Sequence, residues 1–132
     1  MFRLLVSGGR NFYDYKFIEE VLTEWLSRQD LDVEEIILIH GDAQGVDRIA
    51  GQWAKYNSIT VEAYAADWAT LGRKAGHIRN AKMITSGVDY AILFPGGNGT
   101  ANMKMQLSAA DIIGLNLSEP LVDKRDDIVY TK

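Results

Sequence analysis

The sequence YAILFPGGNGT, residues 90–100, contains the transition that decides the fold. Its apolar residues are typical of a buried strand, and a glycine-rich turn follows them before a helical pattern begins at Thr100. Glycines at a strand-to-helix turn let backbone N–H groups approach an anion closely, and the N-terminus of the next helix adds a favourable dipole. This stretch therefore predicts a strand, a phosphate-binding turn and a helix.

Apolar runs alternate with amphipathic stretches along the rest of the chain. The pattern predicts strands at 2–6, 35–40, 59–64, 90–94 and 112–117, helices at 17–26, 46–56, 74–86 and 100–111, and a polar loop around Asp67 and Trp68. The strands IILIH and YAILF are apolar on both faces, as in central parallel strands covered by helices on each side. Because crossovers are right-handed, we expect an α/β fold, a Rossmann-like doubly wound three-layer sandwich around a mainly parallel five-stranded sheet.

The length of 132 residues fits a single domain. We expect this domain, which carries the binding site, at residues 1–117 and a charged C-terminal tail at 118–132. The tail contains Ile128, Val129 and Tyr130, and two alternatives stay open for it, an added edge strand or a contact with a partner.

Composition excludes several classes of function. A net charge of -4 argues against a nucleic-acid-binding protein, which needs a basic face to neutralise phosphates. With no cysteine and two isolated histidines, we expect no disulfide framework and no metal site. The sequence has neither the pattern of a signal peptide nor a segment of the roughly 20 apolar residues that a membrane helix needs. We therefore expect a cytoplasmic protein.

Three glycine-bearing turns follow predicted strands. They are SGGR at 7–10, GDAQG at 41–45 and PGGNGT at 95–100. In doubly wound sheets ligands bind outside the carboxyl ends of the strands, so we expect these turns to form one site. The alternative is that each glycine only marks a turn. Neither the dinucleotide pattern GxGxxG nor the Walker pattern is present, so the turns indicate neither of those cofactors.

Polar residues near the turns suit a nucleotide. Arg10, Lys74 and Arg79 offer positive charge, while Asp42 and Asp47 suit ribose hydroxyls or an amino group. Asp47 also fits the first turn of a helix without any ligand.

Other side chains have two interpretations each. Thr100 suits a helix cap or a phosphate contact, and Trp68 suits stacking on a base or covering the core. His77 suits acid–base chemistry but has no visible partner, whereas His40 ends a buried strand and fits a structural role. Most members of a further set fall at helical spacing and are assigned to the core: Trp25, Trp53, Tyr56, Met83, Met103 and Met105.

The combination of motifs resembles the SLOG superfamily, which contains the DNA-processing DprA proteins and the Lonely guy phosphoribohydrolases, and within it the YspA-like branch. The resemblance covers residues 3–117 through SGGR at 7–10, HGDAQGVDR at 40–48, ADW at 66–68, AGHIRN at 75–80 with Met83, and FPGGNGTANM at 94–103. It implies a Rossmann-like fold that binds a nucleotide or nucleotide derivative at the strand carboxyl ends, with the PGGxGT loop holding phosphate.

The chain departs from the phosphoribohydrolases at the residues that carry their chemistry. They have Arg-Lys on one helix and a glutamate one turn after the glycine-rich loop. Here Arg79 matches the arginine, but Asn80 replaces the lysine, and residues 101–103 (ANM) stand where the acid falls. Cleaving an N-glycosidic bond needs a carboxylate, so the resemblance favours binding over catalysis. Asp42 or Asp47, acting with Arg79, keeps an enzyme as the alternative.

We therefore expect a protein that binds a nucleotide-derived small molecule, without a cofactor, and senses or sequesters a nucleotide signal. The alternative is a phosphoribohydrolase or nucleotide hydrolase. Because relatives often pair through helices beside the ligand site, we also expect a homo-oligomer. The predicted binding residues are Ser7, Gly8, Gly9, Arg10, Gly41, Asp42, Gly45, Asp47, Trp68, Lys74, Arg79, Asn80, Pro95, Gly96, Gly97, Asn98, Gly99, Thr100 and Asn102.

Overall fold

A five-stranded parallel sheet organises the computed structural model, which describes residues 1–118. The strands are β1 (Phe2–Ser7), β2 (Ile36–His40), β3 (Thr60–Ala63), β4 (Tyr90–Leu93) and β5 (Gly114–Asn116). Their order in the sheet is β3-β2-β1-β4-β5, and each neighbouring pair is parallel. This confirms the predicted α/β, Rossmann-like architecture.

Helices connect the strands. They are α1 (Tyr15–Ser27), α2 (Val46–Tyr56), α3 (Trp68–Leu71), α4 (Ala75–Thr85) and α5 (Asn98–Ala109), with 3-10 turns at Val33–Glu35 and Gly72–Lys74. The polar loop predicted around Asp67 and Trp68 is wrong in one respect, because it contains α3 and a 3-10 turn. The Asp67 carboxylate caps α3 by accepting a hydrogen bond from the Thr70 N–H at 3.2 Å. Four residues are too few to show a helical period in the sequence.

Each face of the sheet has its own core, because successive side chains of a strand point to opposite faces. On one face Leu4 packs in a buried cluster with Leu22 of α1 and Trp53 of α2. On the other face Leu5 packs with Met83 of α4 and Met103 of α5. The helices therefore form a layer on each side of the sheet, which gives the three-layer sandwich.

The aromatic and methionine residues assigned to the core from their helical spacing fall into a buried group and an exposed group. Trp25, Trp53, Met83 and Met103 are buried, as predicted, whereas Tyr56 is 89% and Met105 is 70% exposed. Met105 lies near the ligand cleft described below, which its helical spacing does not reveal.

The order of connection reverses between β1 and β4, which makes their carboxyl ends the topological switch point. Ser7 and Leu93 are register partners there. Beyond them, the Phe94 N–H donates to Ser7 O at 2.9 Å, and the Gly9 N–H donates to Pro95 O at 2.8 Å. The turns after β1 and β4 are thereby joined by their backbones.

Residues 119–132 of the predicted tail, including residues 128–130, lie outside the described residues. Within residues 1–118 no helix is long and apolar enough to cross a membrane.

Candidate ligand-binding cleft

A cleft of about 1120 Å³ opens at the switch point. Its walls are the turns that follow β1 and β4, the first turn of α5, and parts of α3 and α4. The residues that line it are Ser7, Gly8, Gly9, Arg10, Asn11, Phe12, Ala43, Asp47, Trp68, Arg73, Gly76, His77, Arg79, Asn80, Met83, Pro95, Gly96, Gly97, Asn98, Gly99, Thr100, Ala101, Asn102 and Met105.

Gly96 fixes the distance between the two central turns. A Cβ atom at this position would overlap Thr100 Oγ1 and come within 2.7 Å of the Gly9 nitrogen. The backbone hydrogen bond from Gly9 to Pro95 requires this close approach. Gly96 is therefore needed to assemble the cleft wall.

Gly97 and Gly99 stand in a different environment. A Cβ atom at either position would meet no other atom within 4 Å, so the space in front of the first turn of α5 is open. The first hydrogen bond within this helix runs from the Ala101 N–H to Gly97 O at 3.0 Å. The N–H groups of residues 98–100 precede that bond and have no acceptor four residues earlier within the helix. The positive end of the helix dipole therefore opens into the cleft, the arrangement that binds anions.

The cleft concentrates positive charge in an acidic chain. Arg10, Arg73 and Arg79 line it, and among the lining residues of the described chain Asp47 is the one carboxylate. Burial lowers the pKa of Arg79; the negative charge of Asp47 opposes this shift, and the smaller effect of the positive charge of Arg10 adds to it. The guanidinium groups of Arg79 and Arg10 therefore repel each other, and an anion between them would relieve this repulsion.

Arg79 also ties α4 to the turn that follows β2. Its Nη1 donates to Gly41 O, and its Nε donates to Asn80 Oδ1 at 2.9 Å. A Cβ atom on Gly41 would lie 2.6 Å from Arg79 Nη1. Gly41 therefore stands behind the arginine and lets it approach, rather than lining the cleft.

Asp47 is a buried carboxylate in the first turn of α2, with an exposed fraction of 3%. Its Oδ2 accepts hydrogen bonds from the Gly41 N–H at 3.1 Å and the Ala43 N–H at 3.2 Å. Its Oδ1 is buried and has no hydrogen-bond partner among the described residues. Burial raises the pKa of Asp47 to about 6. Asp47 thus shapes the turn through one oxygen and retains an unused acceptor in the other.

A network of neutral amide side chains links α4 to α5. Asn80 Nδ2 donates to Gly99 O and to Asn102 Oδ1, each at 3.1 Å. Gln106 Nε2 donates to the same Asn102 oxygen at 2.7 Å. The network joins α4 to the first turn of α5, so these amides hold the cleft wall in place.

The structure brings most of the predicted residues to the cleft and leaves four away from its wall: Gly41, Asp42, Gly45 and Lys74. Asp42 has a φ of 57° and pairs with Arg48, with 3.5 Å between Oδ1 and Nε. Gly45 has a φ of 76° and approaches the backbone of the turn after β1. Lys74 is exposed at the end of a 3-10 turn, and its neighbour Arg73 lines the cleft instead.

Sequence reasoning missed nine lining residues: Asn11, Phe12, Ala43, Arg73, Gly76, His77, Met83, Ala101 and Met105. His77 was considered only as an acid or base. Adjacency to predicted turn residues is the signal that could have found Asn11, Ala43 and Ala101. Phe12 and Met105 carry no such signal, because an apolar side chain beside a cleft looks like a core residue in the sequence.

Fold and site together define a Rossmann-like α/β protein with a candidate ligand cleft at the topological switch point. Residues 2–70, more than half of the chain, match the YspA, cpYpsA-related SLOG family. The chain is also similar to the Gene 61 protein of Mycobacterium phage D29, with 32% identity over 126 residues that cover 90% of this chain and 98% of that protein. The chain therefore belongs to the YspA, cpYpsA-related SLOG family, as its motifs predicted. No solved structure matches it.

The family match ends before the second half of the cleft. It includes β1, β2 and Trp68 but not Arg79 or the glycine-rich turn at 95–100. The alignment with the phage protein extends over 126 residues, so that relative resembles this chain well beyond the family match.

Proposed function

We propose that the protein binds a nucleotide or nucleotide-derived small molecule in the cleft and senses or sequesters it. A phosphate of the ligand lies at the N-terminus of α5, against the N–H groups of residues 98–100. The observation that carries this proposal is the convergence of that helix end with Arg10 and Arg79 on one open space, in a chain whose net charge is -4.

The dimensions and walls of the cleft support a ligand larger than free phosphate. Its volume of about 1120 Å³ lies slightly above the range of roughly 300–1,000 Å³ typical of small-molecule sites. Apolar side chains such as Phe12 and Met83 line it together with the polar groups. This mixture suits a base and a sugar attached to the phosphate.

A second candidate function is a nucleotide hydrolase, and Asp47 is the observation that favours it. This carboxylate lines the cleft, and its pKa of about 6 lies near the range in which a side chain exchanges protons at neutral pH. Against this role, one of its oxygens holds the turn after β2 and the other is buried. We therefore place binding first.

Thermal unfolding with a panel of nucleotides tests the proposed binding. The panel contains the nucleoside 5′-monophosphates, ADP-ribose, NAD and cyclic dinucleotides. A ligand at 100 times its Kd stabilises the folded state by about 2.7 kcal/mol. For a domain of this size that is a rise in Tm on the order of 10 °C.

Gly97→Leu is the matched test variant, because a Cβ atom at this position meets no protein atom within 4 Å and the added side chain begins in the open space in front of α5. Gln52→Leu places the same side chain on the exposed face of α2 and serves as the control. We expect the panel's best ligand to stabilise wild type and Gln52→Leu but not Gly97→Leu. Binding is refuted if no panel member stabilises wild type, and the helix N-terminus is excluded as the phosphate site if Gly97→Leu responds normally.

Chromatography of the same incubations separates binding from hydrolysis. After the protein is denatured, a binding protein returns the nucleotide intact. A hydrolase instead releases base or phosphate, and Asp47→Asn should then abolish turnover. Turnover that persists in this variant would exclude Asp47 as the catalytic group.

A further inference from the structure

Trp68 is held in a defined position at the cleft. The Asp67 carboxylate caps the short helix that begins at Trp68, and Gly72 ends that helix with a φ of 58°. A Cβ on Gly76 would lie 3.3 Å from Trp68 Cη2, so the indole edge packs closely against the start of α4. The indole is nevertheless 49% exposed, which shows that it does not cover the core.

The guanidinium of Arg10 occupies one face of this indole. Its central carbon lies 5.6 Å from the ring centroid, within the range of a cation–π contact. Both residues line the same cleft, on the turn after β1 and on α3. One face of the Trp68 indole is therefore covered by the long side chain of Arg10 and not by residues of the hydrophobic core.

We propose that this indole face is the platform on which the base of the ligand stacks, and that the base displaces Arg10 from it. This inference rests on the proposed function, since it concerns the base of a nucleotide bound in the same cleft. Replacing a stacked aromatic by alanine weakens binding by roughly 5- to 150-fold per base. An exposed cation–π contact corresponds to only about 2- to 5-fold. A base therefore outcompetes Arg10 for the indole.

After displacement Arg10 stays in the cleft that also contains Arg79, and a phosphate of the ligand attracts Arg10 there.

The platform gives the site a definite chemical preference. Every base has a π face, so stacking on Trp68 favours any nucleotide over a base-free sugar phosphate and discriminates little among the bases.

Fluorescence and affinity measurements on three proteins test the platform. Trp68 is the exposed tryptophan, whereas Trp25 and Trp53 are 8% and 5% exposed, so ligand-induced quenching reports mainly on Trp68. The proteins are wild type, Trp68→Leu and Trp68→Phe, each first shown to melt within about 2 °C of wild type. The probes are the four nucleoside 5′-monophosphates, ADP-ribose and ribose 5-phosphate.

We expect base-bearing probes to bind wild type at least about 5-fold more tightly than ribose 5-phosphate and to quench its emission. Trp68→Leu should weaken base-bearing probes by at least the same factor and leave ribose 5-phosphate unchanged. Trp68→Phe should retain most of the affinity, because it keeps an aromatic face, and should lose the quenching.

Two outcomes overturn the inference in distinguishable ways. If base-bearing probes bind Trp68→Leu as tightly as wild type, or if ribose 5-phosphate binds wild type equally well, the platform is refuted while binding at α5 stands. If no probe binds wild type, the proposed function fails, and the platform fails with it.

Discussion

Gly96→Ala should destabilise the fold, although the change adds a single methyl group. The new Cβ would overlap Thr100 Oγ1 and lie 2.7 Å from the Gly9 nitrogen. Overpacking of this kind costs typically about 1–3 kcal/mol. Separating the turns also breaks the 2.8 Å hydrogen bond between the Gly9 N–H and Pro95 O, which contributes about 1 kcal/mol. The sum is roughly 2–4 kcal/mol, equivalent to a fall in Tm of about 8–16 °C for a domain of this size.

Gly97→Ala is the matched control, since it is the same substitution at the next residue. A Cβ there meets nothing within 4 Å, so the substitution adds the same methyl group without the collision. We therefore expect stability to change by no more than about 1 kcal/mol. Thermal and urea unfolding followed by circular dichroism measure both variants. A Tm for Gly96→Ala within about 2 °C of wild type would refute the close approach of the two turns.

Three further predictions concern the protein scaffold. Burial raises the folded-state pKa of Asp47 from 3.8 to about 6, so the folded protein keeps a proton that the unfolded chain releases, and stability falls as pH rises across this window. Asp47→Asn should remove this loss of stability, which is on the order of 3 kcal/mol. Urea unfolding between about pH 4 and 7 measures the free energy of unfolding of both proteins. If the pKa of Asp47 is not shifted, the two plots of this free energy against pH will be parallel. Gly51→Ala places a Cβ 2.7 Å from His40 Nε2 and should cost about 1–3 kcal/mol in thermal unfolding, whereas an unchanged Tm would show that the imidazole moves aside. Arg3→Met removes a partly exposed ion pair with Glu62, 2.7 Å between nitrogen and oxygen, together with hydrogen bonds from the guanidinium to Gly87 O and Ser86 Oγ. It should cost roughly 1–3 kcal/mol at low salt and less at about 1 M NaCl, where the ion pair is screened; a cost that does not depend on salt would exclude a contribution from the ion pair.

The sequence predicts the fold well because the strands carry their own signals. IILIH at 36–40 and YAIL at 90–93 are apolar on both faces, and only a sheet covered on both sides accommodates such strands. Two of the three glycine-bearing turns, those after β1 and β4, follow the strands that flank the switch point, so their common location follows from topology alone.

The roles of individual glycines could not be predicted in this way. Gly96 and Gly97 are identical neighbours in the sequence, yet a Cβ on the first would collide with the turn after β1 and a Cβ on the second would meet open space. The difference depends on a contact between residues more than eighty positions apart. Gly41 is a second example. The lack of a side chain there makes room for Arg79, which is distant in the sequence, and not for a ligand.

Arg73 lines the cleft, whereas only its neighbour Lys74 was predicted to bind. Both residues belong to the 3-10 turn at Gly72–Lys74, and the sequence pattern, which predicts a helix from residue 74, does not reveal this turn. The pairing of Asn80 with Asn102 likewise depends on the packing of α4 against α5, which local sequence does not encode.

The amide network at α5 gives a physical reason to favour retention of a ligand over its hydrolysis. Asn102 lies in the first turns of the helix, and its Oδ1 accepts from both Asn80 and Gln106. A carboxylate at this position could accept the same two hydrogen bonds, so the network alone does not require an amide. The difference is one of charge, because an anionic side chain near the helix N-terminus would cancel part of the positive potential that the helix dipole offers to phosphate. With a neutral amide there, no charge on residue 102 reduces the positive potential at the N–H groups of residues 98–100, and no carboxylate stands at that place to assist the departure of a base.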